Sequence, residues 1–237
     1  MDGIKLLDVS KSYKIKDEYI SVLKNISLDI QKNEITIILG RSGCGKTTLL
    51  KIISGLEGFD YGEITGTELK QKAYVFQEHR LMPWLNVRKN IMFGIKNKRL
   101  DDKDVDDIID IVGLKKFCSA YPNQLSGGMK QRVSIARAFA YNPDFILMDE
   151  PFSALDFFTR EQMQKELMKI HKRSKCVILF VTHSIDEALM LGDKIVVLER
   201  GSIKSQYKVS FSGEERDLMS EYFVNLKKQI IDDLKII

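Results

Sequence analysis

Apolar and polar positions along the 237-residue chain follow two periods, and the switches between them mark out the elements. Leu6 to Val9 and Ile20 to Ile30 alternate with a period of two, which predicts strands joined by a polar stretch that contains Tyr13. Ile35 to Leu39 is a compact apolar run entering a glycine-rich turn; Thr47 to Ser54 then reads as a helix stopped at Gly55, and Lys72 to Phe76 as another short strand. From Asn86, a candidate N-cap, to Ala140 the period becomes helical. Val105, Ile108, Ile109 and Val112 form one stripe there, with Gly113 as a stop. Phe145 to Met148 and Val177 to Val181 are sheet-core runs separated by the helical segment Phe158 to His171, the βαβ rhythm of a mainly parallel sheet. Ile195 to Leu198 and Ile203 to Tyr207 read as a hairpin around Gly201. Met219, Phe223, Leu226, Ile230 and Leu234 read as one amphipathic helix.

Composition bounds the class. The chain is 44% hydrophobic, enough to bury a core, and carries a net charge of +4 with both signs interleaved. The basic run Lys96, Lys98 and Arg99 is followed by Asp101, Asp102, Asp104, Asp106 and Asp107, which cancels its field, so no nucleic-acid partner is expected. Cys44, Cys118 and Cys176 have neither metal-type spacing nor an even disulfide framework, which suits a reducing compartment. Met1 to Ser10 has no apolar leader region, and no run of about 18 apolar residues spans a bilayer, so membrane association is expected only through partner proteins.

Gly40-Arg41-Ser42-Gly43-Cys44-Gly45-Lys46-Thr47 matches G-x-x-x-x-G-K-[ST] between a predicted strand and a predicted helix. In such a loop the glycines let successive N–H groups of residues such as Ser42, Gly43, Cys44 and Gly45 point at phosphate oxygens. The helix that follows, opening on Thr47 and Thr48, adds its positive end. Lys46 then reaches the β- and γ-phosphates of a nucleotide, and the Thr47 hydroxyl is a candidate ligand for Mg²⁺. The second half is Phe145 to Glu150, an apolar strand ending in two carboxylates, where ligands of open α/β sheets sit. Asp149 is the candidate for Mg²⁺ and Glu150 for the general base acting on the attacking water. Cys44 sits by Lys46 and a helix N-terminus, a setting that lowers thiol pKa and invites oxidation; the alternative is a small residue that merely fits the turn.

Leu125-Ser126-Gly127-Gly128-Met129-Lys130-Gln131-Arg132 resembles the signature sequence of ABC ATPases, and the family's other elements follow in order: Tyr13, Gln77 after Phe76, Ser153-Ala154-Leu155-Asp156, and His183 after Val181-Thr182. The resemblance runs from about Leu6 to Tyr207. It implies an α/β fold with a P-loop NTPase core and mainly parallel sheet, an N-terminal antiparallel β subdomain and a helical insertion. The whole, residues 1–237, is expected to be a single domain, with about 86–140 as the helical signature subdomain and about 208–237 as a C-terminal helical tail. The implied activity is ATP hydrolysis that drives membrane transport.

The resemblance also assigns residues. Tyr13 presents its ring to adenine, or is an ordinary strand-edge tyrosine; Gln77 touches the metal shell and the attacking water; His183 donates to the γ-phosphate. Ser126, Gly127 and Gly128 open a second anion-binding helix, which in this family covers the ATP held by the other copy, so two copies close two sites. Asp156 lies near that seam, caps a helix, or both. Met129 stands where glutamine is commonest. With Gln77 to Trp84 and Asp149 to Asp156, it makes the chain look most like importers of nitrate, sulfonates or taurine, although the tail lacks their Arg-Pro-rich stretch. The implied partners are a second copy, transmembrane permease subunits and, through them, an extracytoplasmic solute-binding protein, with the chain peripheral on the cytoplasmic face. A separate-subunit exporter and a soluble non-transport ATPase are the alternatives. Arg80 to Trp84 is oddly apolar for a turn. It reads either as the docking site of a permease helix or as core of the helical subdomain.

Overall fold

The computed structural model describes residues 3–66, 71–95, 102–174, 176–210 and 216–235; the basic run at Lys96, Lys98 and Arg99 lies outside them. In chain order the elements are β1 (Ile4–Ile15), β2 (Glu18–Ile30), β3 (Ile35–Leu39), α1 (Lys46–Ser54), β4 (Tyr61–Thr65), β5 (Lys72–Val75), α2 (Val87–Ile91) and α3 (Asp102–Ile111). They continue with α4 (Gly127–Ala140), β6 (Phe145–Asp149), α5 (Phe157–Ser174), β7 (Val177–Thr182), α6 (Ile185–Leu191), β8 (Lys194–Glu199), β9 (Ser202–Lys208) and α7 (Glu221–Lys235). The architecture is α/β, and the chain forms two compact units, Met1–Lys70 with Lys175–Ile237, and Gln71–Ser174.

The first unit holds two kinds of sheet. β1 pairs antiparallel with both β2 and β4. Tyr13 lies inside β1, opposite Ile20, and not in the stretch joining the strands. β3 pairs parallel with β7 and β8, and β9 closes that edge antiparallel to β8. Every residue of β3 and of β7 is buried, as expected for strands covered on both faces. α7 packs through Phe223, Leu226 and Ile230. Its start departs from the sequence expectation: Met219 precedes the helix and is 86% exposed. The helix end is pinned instead by Asp233, whose carboxylate accepts from Ser205 and Tyr207.

The second unit contains the parallel pair β5–β6 and the helices α2 to α5. The predicted stripe of α3 is real at Val105 and Ile109, both buried, and Gly113 follows with φ 66°. α4 buries Val133, Ile135, Ala136 and Phe139, and its N-cap Ser126 accepts from Met129 N–H at 3.3 Å. A buried Asn90 on α2 organises the preceding loop. It accepts from Met82 N–H at 2.8 Å and donates to the carbonyls of Leu85 at 2.8 Å and Met82 at 3.1 Å.

Candidate active site

In the first unit the phosphate loop runs from the end of β3 into α1. Gly43 has φ 79° and Gly45 φ 105°, a region open to glycine and strained for other residues, so the curl depends on these two positions. At Gly45 a β-carbon would also lie 2.8 Å from Leu23 and 2.9 Å from the Val22 carbonyl. Lys46, 5% exposed, donates to the carbonyls of Gly40 at 2.9 Å and Arg41 at 3.0 Å, which holds its ammonium across the loop. Ser42 and Thr47 are exposed at the loop surface, with Thr48 half-buried behind.

Two more candidates sit in the same unit. β7 lies beside β3 in parallel register with Thr182 opposite Leu39, so His183 leaves the sheet next to Gly40, at the carboxyl ends of the strands. His183 is exposed. Its neighbours form a hydrogen-bonded ring that the sequence reading passed over. Thr182 Oγ1 donates to Glu187 Oε2 at 2.5 Å, Ser184 N–H donates to Thr182 Oγ1 at 3.0 Å, and Glu187 N–H donates to Ser184 Oγ at 3.3 Å. Tyr13 is half-buried, its hydroxyl donating to Glu57 and held also by Thr48, which ties it to the helix that follows the phosphate loop. Burial, then Glu57, pushes its phenol up, so it stays neutral. Lys11 Nζ stands 5.5 Å from the ring centroid and pairs with Asp60 Oδ1 at 3.4 Å.

In the second unit β6 delivers Asp149, 5% exposed, at its last position, and Glu150 just beyond it. Glu150 has φ 45°, a left-handed backbone that costs about 1–3 kcal/mol for a non-glycine residue, and the turn after it is closed by Ser153 Oγ donating to its carbonyl at 2.9 Å. The phenol of Tyr74 lies against Asp149; burial first and the carboxylate charge second push it up. Gln77 follows β5 and is exposed. The segment after it is fastened to α4, with His79 Nδ1 2.6 Å from Gln131 Oε1 and Arg137 donating to the Arg80 carbonyl at 2.9 Å. Ser126 and Gly127 are exposed at the start of α4, and Gly128 packs toward Leu155. Asp156 caps α5 by accepting from Thr159 N–H at 3.0 Å, and these Thr159 hydrogen bonds hold its carboxyl below the usual range.

Two open alternatives are answered by burial. Cys44 is 8% exposed, and burial pushes its thiol up against the opposing charge of Lys46. The low-pKa, oxidation-prone reading is therefore corrected: desolvation outweighs the neighbouring cation. Trp84 is 69% exposed, so it is not core of its unit. Among the described residues no helix is long and apolar enough to cross a membrane.

A glycine-shaped phosphate loop between a buried parallel strand and a helix, in an α/β chain that also ends a buried strand in two carboxylates, defines the class of P-loop nucleotide hydrolases. Comparison with known proteins narrows it. The ABC transporter family model matches residues 23–153. The chain is 43% identical to an ABC transporter ATP-binding protein of Methanocaldococcus jannaschii, over 98% of this chain and 91% of that protein. It is 40% identical to an aliphatic sulfonates import ATP-binding protein of Bacillus cereus, covering 96% of this chain and 94% of that one. A taurine import ATP-binding protein of Roseobacter denitrificans is also 40% identical, over 92% and 87% respectively. Among solved structures, the ATP-binding cassette MJ0796, in a dimeric post-hydrolysis state bound to ADP and Pi, superposes with a TM-score of 0.79 at 32% identity, covering 88% of this chain and 100% of that one. The chain belongs to the ABC transporter family, as an ATP-binding and ATP-hydrolysing cassette.

Proposed function

We propose that this cassette works as a homodimer on the cytoplasmic face of a membrane and energises the import of a small solute of the sulfonate or taurine type. It acts through permease subunits that an extracytoplasmic binding protein supplies. The observation that carries the catalytic part is the β6 terminus, where a buried Asp149 is followed by Glu150 in a strained left-handed conformation. The solute class rests on 40% identity to sulfonate and taurine import subunits over more than nine-tenths of the chain.

In this reading the N–H groups of Gly43 to Thr47 and the Lys46 ammonium hold the β- and γ-phosphates of ATP, and Tyr13 stacks on the adenine. Thr47 hydroxyl, Gln77 side-chain carbonyl and Asp149 carboxylate are all hard oxygen donors, a set that suits Mg²⁺ rather than a thiophilic metal. Mg²⁺ held by these residues would supply positive charge that neutralises the phosphates. Glu150 accepts the proton of a water whose oxygen attacks the γ-phosphorus; the bond to the β-phosphate oxygen breaks and ADP leaves. His183 donates to the γ-phosphate, and Ser126 to Gly128 of the second copy close the site, with Asp156 near the seam.

Reconstitution into liposomes with the cognate permease tests this. Solute uptake driven by ATP enclosed with lumen-facing cassettes, and hydrolysis stimulated by solute-loaded binding protein added outside, are expected. Efflux, or hydrolysis indifferent to permease and solute, would overturn it.

A further inference from the structure

An S-x-x-E pattern opening a helix usually makes a reciprocal box. The N-cap serine accepts from the N–H three residues on, and the glutamate side chain reaches back to the N-cap N–H. Ser184 and Glu187 at the start of α6 make only the first of these bonds directly. The second is routed through Thr182: Ser184 N–H donates to Thr182 Oγ1, and that hydroxyl in turn donates to Glu187 Oε2. The donor and acceptor capacities of a single hydroxyl are both used. The Thr182–Glu187 bond is interior, with Thr182 1% exposed and Glu187 6%; Ser184 is half-buried, and His183 between Thr182 and Ser184 is exposed.

Helix capping alone does not require the detour, since Glu187 could serve the Ser184 N–H directly. What the detour adds is a fastening on each side of His183. Thr182 is fixed from below by its place opposite Leu39 in the sheet and from the side by Glu187, and Ser184 is fixed by Thr182 and by Glu187 N–H. The residue between them has little freedom in its backbone, and it stands beside Gly40 where the phosphate loop begins.

We propose that Thr182 and Glu187 are positioning residues for hydrolysis, a buried hydroxyl–carboxylate couple that fixes the backbone of His183 so that its imidazole meets the γ-phosphate. This rests on the reading of His183 given above. A misplacement of about 1 Å at a reacting centre costs about 10²-fold in rate, so the couple acts on turnover and not on nucleotide affinity.

The test compares Thr182→Val, Glu187→Ala, Glu187→Gln and His183→Ala by steady-state ATP hydrolysis, nucleotide binding and thermal melting. Thr182→Val keeps the β-branched shape that a buried strand favours and removes only the hydroxyl. Thr182→Val and Glu187→Ala are each expected to lower kcat about ten- to a hundredfold with KM for ATP within about twofold. Glu187→Gln, whose amide oxygen still accepts from Thr182, is expected to restore most of the turnover. On the His183→Ala background Thr182→Val should cause no further loss, because both changes remove the same contact. A merely structural couple would lower the melting temperature, leave kcat of the folded protein near wild type and show no rescue specific to Gln. Wild-type turnover in folded Thr182→Val, or a full multiplicative loss on the His183→Ala background, would overturn the inference while leaving the histidine role intact. Wild-type turnover in His183→Ala would instead remove the histidine role, and the inference with it.

Discussion

Truncating Trp84 to alanine separates docking from stability, and the structure sets the size of both effects. An indole offers roughly 250 Å²; with 69% of Trp84 exposed, about 170 Å² remains for a partner and about 80 Å² is already covered. At about 25 cal/mol per Å², a partner that covered all of the exposed part would gain at most about 4 kcal/mol, and the free subunit would lose at most about 2 kcal/mol on truncation. The loop that carries Trp84 is held without it. Asn90 pins Met82 and Leu85, and Arg137 pins Arg80, so an apolar ring is presented on a fixed backbone. Exposed aromatic anchors of this kind dominate interfaces, where losing one costs about 2 kcal/mol or more. Trp84→Ala is therefore expected to weaken permease capture about thirtyfold or more and to lower transport-coupled hydrolysis. Basal hydrolysis by the isolated subunit should be nearly unchanged, and the melting temperature should fall by less than about 8 °C. A pull-down with the permease, run beside a melt, measures both. Unchanged assembly and transport would refute the docking role, and a fall well beyond that temperature range would show that Trp84 supports the core after all.

Other expectations follow from the same reasoning. Glu150→Gln should keep ATP binding and lower turnover by about 10²–10⁴, accumulating an ATP-bound dimer on size exclusion; near-normal phosphate release would remove Glu150 from the base role. Asn90→Leu should cost about 2–4 kcal/mol, because the polar groups of Met82 and Leu85 lose their partners; a melt within a degree of wild type would contradict this. Because burial raises the Cys44 thiol above its ordinary pKa, the neutral form prevails at pH 7 and thiolate appears only as pH rises past the ordinary range. Alkylation of Cys44 should therefore be slow at pH 7 and accelerate only at strongly alkaline pH, and rapid labelling at neutral pH would restore the reactive reading.

What the chain disclosed in advance depended on how far each feature shows in residue pattern. β3 and β7 were legible because strands buried on both faces read as near-continuous apolar runs, interrupted here only by Thr36 and the terminal Thr182. β4 was not: Tyr61 to Thr65 is almost wholly exposed and carries a glycine, so it has no apolar rhythm and exists through its pairing with β1. Met219 fits the helical stripe of the C-terminal helix by spacing, yet lies outside it, because Asp217 rather than an apolar contact organises the turn there, accepting from Met219 N–H at 2.9 Å. Cys44 shows a second limit. Its neighbours in sequence argue for a low pKa, while the desolvation that reverses the sign comes from packing that spacing does not reveal.

The phosphate loop was readable because its chemistry forces residue identity: φ values of 79° and 105° at Gly43 and Gly45 leave few alternatives to glycine. The residues that hold His183 in place are under no such restriction. Ser184 and Glu187 look in sequence like an ordinary helix start, and Thr182 looks like one more β-branched strand residue. Only the three-dimensional path of one hydroxyl, accepting from Ser184 and donating to Glu187, separates a cap from a clamp. Groups that touch a ligand must be particular atoms at particular places, whereas groups that orient them need only satisfy one another's hydrogen bonds. Motif grammar therefore finds the first kind, and the second becomes visible when the donors and acceptors of a buried hydroxyl are traced.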